Sequence, residues 1–164
     1  MNIGLLGFGV VGGGVWELAQ ENRALNVKKV LVRREAPSLG KAAVQDVEAI
    51  LRDAAIDTVV EVLGGLHPAY EWICRALAAG KDVVTANKAV ISAYYRELTA
   101  LAHENGAALR CTAAVGGGIP WLVNLQRCRR VDTVTEVGGI MNGTTNFIMD
   151  AMARQGADFP AVLQ

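Results

Sequence analysis

The most constraining feature of this sequence is a glycine fingerprint that directly follows its first apolar run, residues 2–6. The fingerprint is Gly7-Phe8-Gly9-Val10-Val11-Gly12. In such a turn the first glycine allows a tight bend, the second a close phosphate approach, and the third the packing of a helix on a strand. Residues 2–6 are typical of a strand and residues 11–22 of a helix. A chance glycine turn is the alternative, but this strand-to-helix context predicts a dinucleotide with its pyrophosphate at the helix N-terminus.

Short β-rich runs alternate with helical patterns over residues 1–115, which is typical of a parallel sheet wound with helices. The further predicted strands are residues 27–32, 57–63, 82–85 and 107–113. The further predicted helices are residues 46–52, residues 68–79 and a helix that Ser92 caps and Asn105-Gly106 ends. We therefore predict an α/β fold, a Rossmann-like doubly wound parallel sheet that forms a dinucleotide-binding domain over residues 1–115.

The sequence changes character at Gly116, where a triple glycine begins. A helix is predicted over residues 119–127, a strand over 131–141 and a further helix over 147–154. These patterns predict the beginning of an α+β catalytic or dimerisation domain over residues 116–164.

Charge and composition point to a small-molecule partner. Sixteen basic residues balance sixteen acidic ones, which argues against nucleic acid and against an anionic membrane surface. No apolar stretch has the length of a membrane span. The cysteines, Cys74, Cys111 and Cys128, show no metal-ligand spacing and are interpreted as buried thiols of a reducing compartment. We expect a soluble cytoplasmic protein.

The end of the second predicted strand addresses the choice of coenzyme. An acidic residue at this position binds the ribose 2′-hydroxyl of NAD, whereas an arginine accommodates the 2′-phosphate of NADP. Arg33 and Arg34 favour NADP, with Lys41 as support, while Glu35 keeps NAD open. A solvated charged turn is the alternative interpretation.

A third segment, Val84-Thr85-Ala86-Asn87-Lys88, ends the fourth predicted strand, where open α/β sheets bind their ligands. If Asn87 caps a helix, Lys88 lies at the positive end of the helix dipole, an unfavourable place for a purely structural cation. With partial burial, its amine could move a proton or polarise a substrate oxygen. We predict that Thr85 and Lys88 contact the cofactor and that Lys88 is catalytic, although a plain surface lysine is an equal alternative.

Two later segments are rich in groups that bind ligands. Residues 114–120 contain three glycines, which free backbone carbonyls and amides for a hard monovalent cation or a cofactor ring, unless they form a simple hinge. Residues 138–146 cluster amide and hydroxyl groups, which is typical either of a polar substrate loop or of a turn before a capped helix.

Taken together, these segments resemble homoserine dehydrogenase. The family has a glycine fingerprint near its start, and its E-V-x-G-G and V-V-T-A-N-K stretches match residues 61–65 and 83–88. Its G-I-P turn and N-G-T-T-N loop match residues 118–120 and 142–146. The order and spacing fit over essentially the whole chain.

The resemblance implies a reversible oxidation of L-homoserine to L-aspartate 4-semialdehyde with NADP or NAD, in the route to threonine, methionine and isoleucine. It places Lys88 between nicotinamide and substrate. It also implies a homoserine pocket lined by Asn142, Gly143 and Thr144. It further implies a sodium ion held by the carbonyls of Val115, Gly117 and Ile119. The family adds a glutamate side chain to this ion, whereas that position is Thr112 in this sequence.

The family continues past the position that matches Gln164 and supplies a substrate-binding glutamate and an aspartate–lysine pair there. The resemblance therefore implies an amino-terminal fragment, inactive alone, of an enzyme that forms homo-oligomers. A stand-alone, catalytically silent NAD(P)-binding module is the main alternative. Another amino-acid or sugar dehydrogenase of the same fold is the second.

Overall fold

A six-stranded parallel sheet organises the first part of the chain in a computed structural model that describes residues 1–140 and 142–163. Its strands are β1 (Asn2–Leu6), β2 (Asn26–Leu31), β3 (Ala43–Val44), β4 (Thr58–Glu61), β5 (Asp82–Thr85) and β6 (Leu109–Arg110). They lie in the order β3-β2-β1-β4-β5-β6, and every neighbouring pair is parallel. This is the order of a doubly wound dinucleotide-binding sheet, so the predicted fold class is confirmed.

Helices connect the strands of this sheet. They are α1 (Val10–Glu21), α2 (Glu48–Leu51), α3 (Ala69–Ala78) and α4 (Lys88–Glu104), with short 3₁₀ turns at Pro37–Ala42 and Thr112–Ala114. From β1 the chain winds outward to β2 and β3, then returns to β4 and winds the other way. Because parallel crossovers are right-handed, α1 covers one face of the sheet while α3 and α4 cover the other. The direction changes between β1 and β4, and a crevice opens there at the carboxyl ends of the strands.

The core lies on both faces of the central strands. All four residues of β4 are buried, as expected for a strand covered by helices on both sides. Burying each large aliphatic side chain contributes roughly 1.5–3 kcal/mol. The fully buried aliphatic residues include Ile3, Leu5, Leu6, Val30, Ile50, Ile56, Val59, Ile73, Leu77, Val83, Val90 and Leu98.

The chain divides into two compact units, Met1–Gly118 and Ile119–Gln164. The second unit contains α5 (Trp121–Cys128), α6 (Gly143–Gln155) and α7 (Phe159–Val162). Asn142 caps α6 by accepting a hydrogen bond from the amide of Thr145 at 2.9 Å. Asp158 caps α7 in the same way through the amide of Ala161 at 3.1 Å. Both caps satisfy amides that have no acceptor within their helix.

The predicted strand over residues 131–141 is wrong. Residues 133–138 have no regular secondary structure, and Met141 lies outside the described residues. An apolar run forms a strand only where a neighbouring strand pairs with it, and the six strands of the sheet all fall within residues 2–110. The predicted strand over 107–113 is also too long, because only Leu109 and Arg110 pair with β5.

Two further expectations need correction. Ser92 does not cap a helix, because α4 already begins at Lys88, where the side-chain oxygen of Asn87 accepts from the amide of Val90 at 3.2 Å. The cysteines are not all buried. Cys111 is buried and Cys74 half-buried, but Cys128 is exposed near the end of α5.

Candidate functional site

The turn after β1 has the geometry that the fingerprint predicted. Gly7 has a φ of 107°, a conformation that L side chains rarely adopt. A Cβ at Gly12 would lie 2.2 Å from the carbonyl oxygen of Gly7, so only glycine lets α1 approach the turn this closely. In contrast, a Cβ at Gly9 would meet no atom within 4 Å. The backbone at Gly9 therefore faces open space that a ligand can enter.

The start of α1 offers backbone amides to that space. Gly9 is the N-cap residue and supplies no side-chain cap, and the helical ladder begins with Gly13 N–H donating to Gly9 carbonyl at 2.8 Å. The amides of the first turn precede this bond and have no acceptor within the helix. Val10 is 97% exposed and Val11 54% exposed. The turn therefore fits an anionic group such as a pyrophosphate.

A cleft of about 700 Å³ extends from the glycine turn to the loop after β2. Its polar and aromatic lining includes Arg33, Arg34, Glu35, His67 and Trp72. Both arginines are exposed, and neither forms an ion pair within residues 1–140 and 142–163. Their guanidinium groups can therefore turn toward a phosphate in the cleft.

A second cleft of about 380 Å³ lies beside the first and shares Val62, Leu63 and Gly64 with it. Lys88 and Val11 also line it. The two clefts together follow the carboxyl edge of the sheet from the end of β2 to the end of β5. Both volumes are within the range of small-molecule and cofactor sites.

Lys88 is the first residue of α4, in the position that the sequence predicted if Asn87 is the cap. Its side chain is exposed rather than partly buried. The positive end of the α4 dipole and the wall of the smaller cleft nevertheless place its ammonium group where a polar ligand can reach it. Thr85 is 1% exposed and lies beneath the cleft, so its predicted contact with a cofactor stays a prediction.

Glu61 is a residue of this site that the sequence interpretation did not identify. It is fully buried at the end of β4, in register with Thr85 of β5. Its carboxylate accepts from the amide of Leu63 at 2.8 Å, from the hydroxyl of Thr85 at 2.6 Å and from the side-chain amide of Asn87 at 3.3 Å. The signal in the sequence is a lone acidic residue that ends an apolar strand, because carboxylates are rarely fully buried without partners.

The remaining predicted residues follow the sheet in the sequence. Asn142, Gly143 and Thr144 are exposed and begin α6 of the second unit, so this segment is a capped helix start. Val115 and Gly117 follow the 3₁₀ turn of the first unit, and Ile119 opens the second unit. The predicted roles of these residues in binding homoserine and sodium stay predictions.

Metal-ligating clusters and membrane-spanning helices are both absent from the part of the chain that the structure describes. Within residues 1–140 and 142–163, no group of three or more His, Cys, Asp or Glu side chains could hold a metal ion. Over the same ranges, no helix has the length and apolar character to cross a membrane.

Comparison with known proteins identifies the family. Residues 7–112 match the family model described as "Homoserine dehydrogenase, NAD binding domain". The chain belongs to the homoserine dehydrogenase family. Residues 120–164 match a second family model, described as "Homoserine dehydrogenase". The resemblance drawn from the motifs is thereby confirmed.

Individual family members support this assignment. The homoserine dehydrogenase of Synechocystis is 41% identical, over 99% of this chain and 40% of its own length. A crystal structure of a homoserine dehydrogenase from Thiobacillus denitrificans has a TM-score of 0.89 at 37% identity and covers 99% of this chain and 41% of its own. A hyperthermophilic archaeal homoserine dehydrogenase in complex with NADPH has a TM-score of 0.83 at 25% identity. The match covers 99% of this chain and 59% of the archaeal chain. The chain therefore spans about 40% of the Synechocystis relative's length.

Proposed function

We propose that this chain binds the nicotinamide cofactor of a homoserine dehydrogenase and carries a catalytic lysine of that enzyme. In a protein of the relatives' length, the reaction would be the reversible oxidation of L-homoserine to L-aspartate 4-semialdehyde, in the route to threonine, methionine and isoleucine. The observation that carries the proposal is the pair of adjoining clefts. They join the glycine turn, the arginines after β2 and Lys88 along one edge of the sheet.

The residues of the larger cleft favour NADP over NAD. The amides around Gly9 would hold the pyrophosphate, and Arg33 and Arg34 would pair with the 2′-phosphate through planar guanidinium groups. The archaeal relative whose structure is in complex with NADPH supports this choice. Glu35 lines the same cleft and is the residue that would bind the 2′-hydroxyl if NAD were preferred.

Lys88 is the proposed catalytic residue. When bound, the cofactor accepts or donates the hydride, and the protein supplies orientation and electrostatics. The ammonium group of Lys88 would lie against the substrate oxygen. It would orient the hydroxyl of homoserine during oxidation and stabilise the carbonyl oxygen of the semialdehyde during reduction.

Other parts of the proposal rest on family membership. Asn142, Gly143 and Thr144 would bind homoserine. A sodium ion would be held by the carbonyls of Val115, Gly117 and Ile119, a set in which Thr112 replaces the glutamate that the family pattern implies. A cytoplasmic location and a homo-oligomeric assembly belong to the same proposal.

A catalytically silent NAD(P)-binding module is the second candidate. Two observations favour it. All residues that line the two clefts lie within residues 7–89, and the chain spans 40% of the length of its Synechocystis relative. The experiment is to follow NADPH formation from L-homoserine and NADP⁺ by this chain and by a protein of the relatives' length that contains it. We expect turnover only in the longer protein and NADPH binding in both. A longer protein that binds NADPH but does not oxidise homoserine would support the module instead.

A further inference from the structure

The smaller cleft is built on a buried hydrogen-bond network that joins its two walls. One wall is the turn after β4, where Gly64 and Gly65 both have positive φ. The other is the loop from Ala86 to Lys88. The side-chain amide of Asn87 crosses between them and donates to the carbonyl of Gly65 at 2.7 Å, as well as to Glu61. The relative position of the two walls therefore depends on these side chains.

Glu61 is the centre of this network. Its carboxylate binds the amide of Leu63 on one wall, and the hydroxyl of Thr85 and the side chain of Asn87 below the other. The Thr85 oxygen in turn accepts from the backbone amide of Asn87 at 3.0 Å, directly before Lys88. A carboxylate can only accept hydrogen bonds, so it suits a position where three donors converge.

Burying this carboxylate costs free energy, and the sheet does not need a carboxylate at this position. Removing a carboxylate from water is expensive, and the groups bonded to Glu61 within the described ranges are neutral amides and a hydroxyl. An apolar residue would fill the end of β4 without that cost. The gain must then come from what the network holds in place, namely the two walls of the cleft.

We propose that Glu61 is a positioning residue for the nicotinamide half of the cofactor site, because it fixes the Gly64–Gly65 turn relative to the loop that carries Lys88. The proposal rests on the proposed function, in which nicotinamide reaches Lys88. The adenylate half would bind in the larger cleft, where Arg33 and Arg34 lie outside the network. Disturbing Glu61 should therefore weaken the binding of the nicotinamide half and leave the binding of the adenylate half unchanged.

The test compares two ligands in the same variants by calorimetry: NADPH, and 2′,5′-ADP, which lacks the nicotinamide half. Glu61→Gln keeps the shape of the side chain but puts an N–H donor where Leu63, Thr85 and Asn87 also donate. We expect NADPH affinity to fall by about tenfold, equivalent to about 1.4 kcal/mol, while 2′,5′-ADP affinity stays within about twofold. Asn87→Ser is a second variant that retains a good helix cap. It loses both hydrogen bonds that the side-chain amide of Asn87 donates, to Glu61 and to Gly65. It should show the same selective loss.

Lys81→Met provides the matched control. Lys81 is also buried and polar, and its ammonium group donates to the carbonyls of Asp53 at 2.7 Å and Ile56 at 2.6 Å, at the opposite edge of the sheet. We expect this variant to lower the melting temperature and leave the ratio of the two affinities unchanged.

Three results would overturn the inference. Equal losses for both ligands in Glu61→Gln and Asn87→Ser would show a general structural role, unchanged NADPH affinity would show no role, and a selective loss in Lys81→Met would show that any buried polar change produces it. Failure of the unmodified chain to bind either ligand would instead overturn the proposed function itself.

Discussion

Gly12 of α1 lies so close to Gly7 that a Cβ at Gly12 would stand 2.2 Å from the carbonyl oxygen of Gly7 and 3.0 Å from its carbonyl carbon. Both atoms belong to the backbone and cannot rotate away. The contact fixes α1 against the end of β1, and this packing holds the amides at the helix start beside the cleft.

We predict that Gly12→Ala lowers the free energy of unfolding by roughly 1–3 kcal/mol, the usual cost of an overpacked contact. Urea unfolding followed by circular dichroism measures this change. Gly14→Ala is the control, because its added Cβ meets no atom within 4 Å and alanine favours a helix. Equal stability of the two variants would show that the turn can relax.

Arg33→Ala should weaken NADP⁺ binding selectively, by roughly 1.5–3 kcal/mol if a hydrogen bond to a charged group is lost. Calorimetric titration with NADP⁺ and with NAD⁺ separates the two coenzymes. Arg23→Ala removes the same charge just beyond the end of α1 and should leave both affinities unchanged. Equal losses for NADP⁺ and NAD⁺ in Arg33→Ala would mean that the arginine contacts a part that the coenzymes share.

Asp57 should make the stability of the chain depend on pH. The amide of Asn2 donates to its carboxylate at 2.9 Å, and this bond, helped by the hydroxyl of Thr58, holds the pKa of Asp57 below its usual value. A carboxyl with a lowered pKa in the folded state stabilises the protein above its unfolded pKa of about 3.9. That stabilisation is lost as the pH falls through the folded-state pKa.

Asp57→Asn should therefore melt at a lower temperature than the unmodified chain at pH 7, and the difference should shrink toward pH 3. Thermal unfolding at several pH values tests this. Glu17→Gln removes an exposed carboxylate of α1 as a control. A difference for Asp57→Asn that is the same at pH 7 and pH 3 would contradict the assigned role.

Lys88→Ala should lower turnover by about 10²–10⁴-fold in a protein of the relatives' length, with cofactor affinity nearly unchanged, because the lysine is proposed to act on the substrate oxygen. Steady-state kinetics with homoserine, together with NADPH titration, gives both quantities. Lys28→Ala, which removes an exposed lysine of β2 that lines neither cleft, is the control for charge. Unimpaired turnover of Lys88→Ala would exclude the lysine from the reaction.

The sequence predicted those parts of the fold that depend on local requirements. The glycine turn could be predicted because its internal requirements lie within six residues: Gly7 has a positive φ, and Gly12 packs against the backbone of Gly7. The positions of β1 and β5 followed from apolar runs in the same way, and the end of α3 followed from Gly80, which has a φ of 71° just after the helix.

The features that were missed depend on distant partners. The hydrogen bonds of Glu61 with Thr85 and Asn87 join residues that are 24 and 26 positions apart in the sequence. No local sequence pattern predicts such bonds. The strand over 131–141 was predicted wrongly because apolar character cannot supply a pairing strand. Ser92 is a residue type that often caps helices, but α4 begins earlier, where the amide of Val90 donates a hydrogen bond to the side-chain oxygen of Asn87.

The most direct test of the account is calorimetric titration of this chain and of Gly9→Val with NADPH. The backbone of Gly9 faces open space at the start of α1, so a valine side chain would fill the volume assigned to the pyrophosphate while meeting no atom of the protein at its Cβ. We expect the unmodified chain to bind NADPH and Gly9→Val to lose at least about 2.7 kcal/mol of binding free energy, or about a hundredfold in affinity, with little change in melting temperature. Unchanged NADPH affinity in a folded Gly9→Val variant would contradict the account.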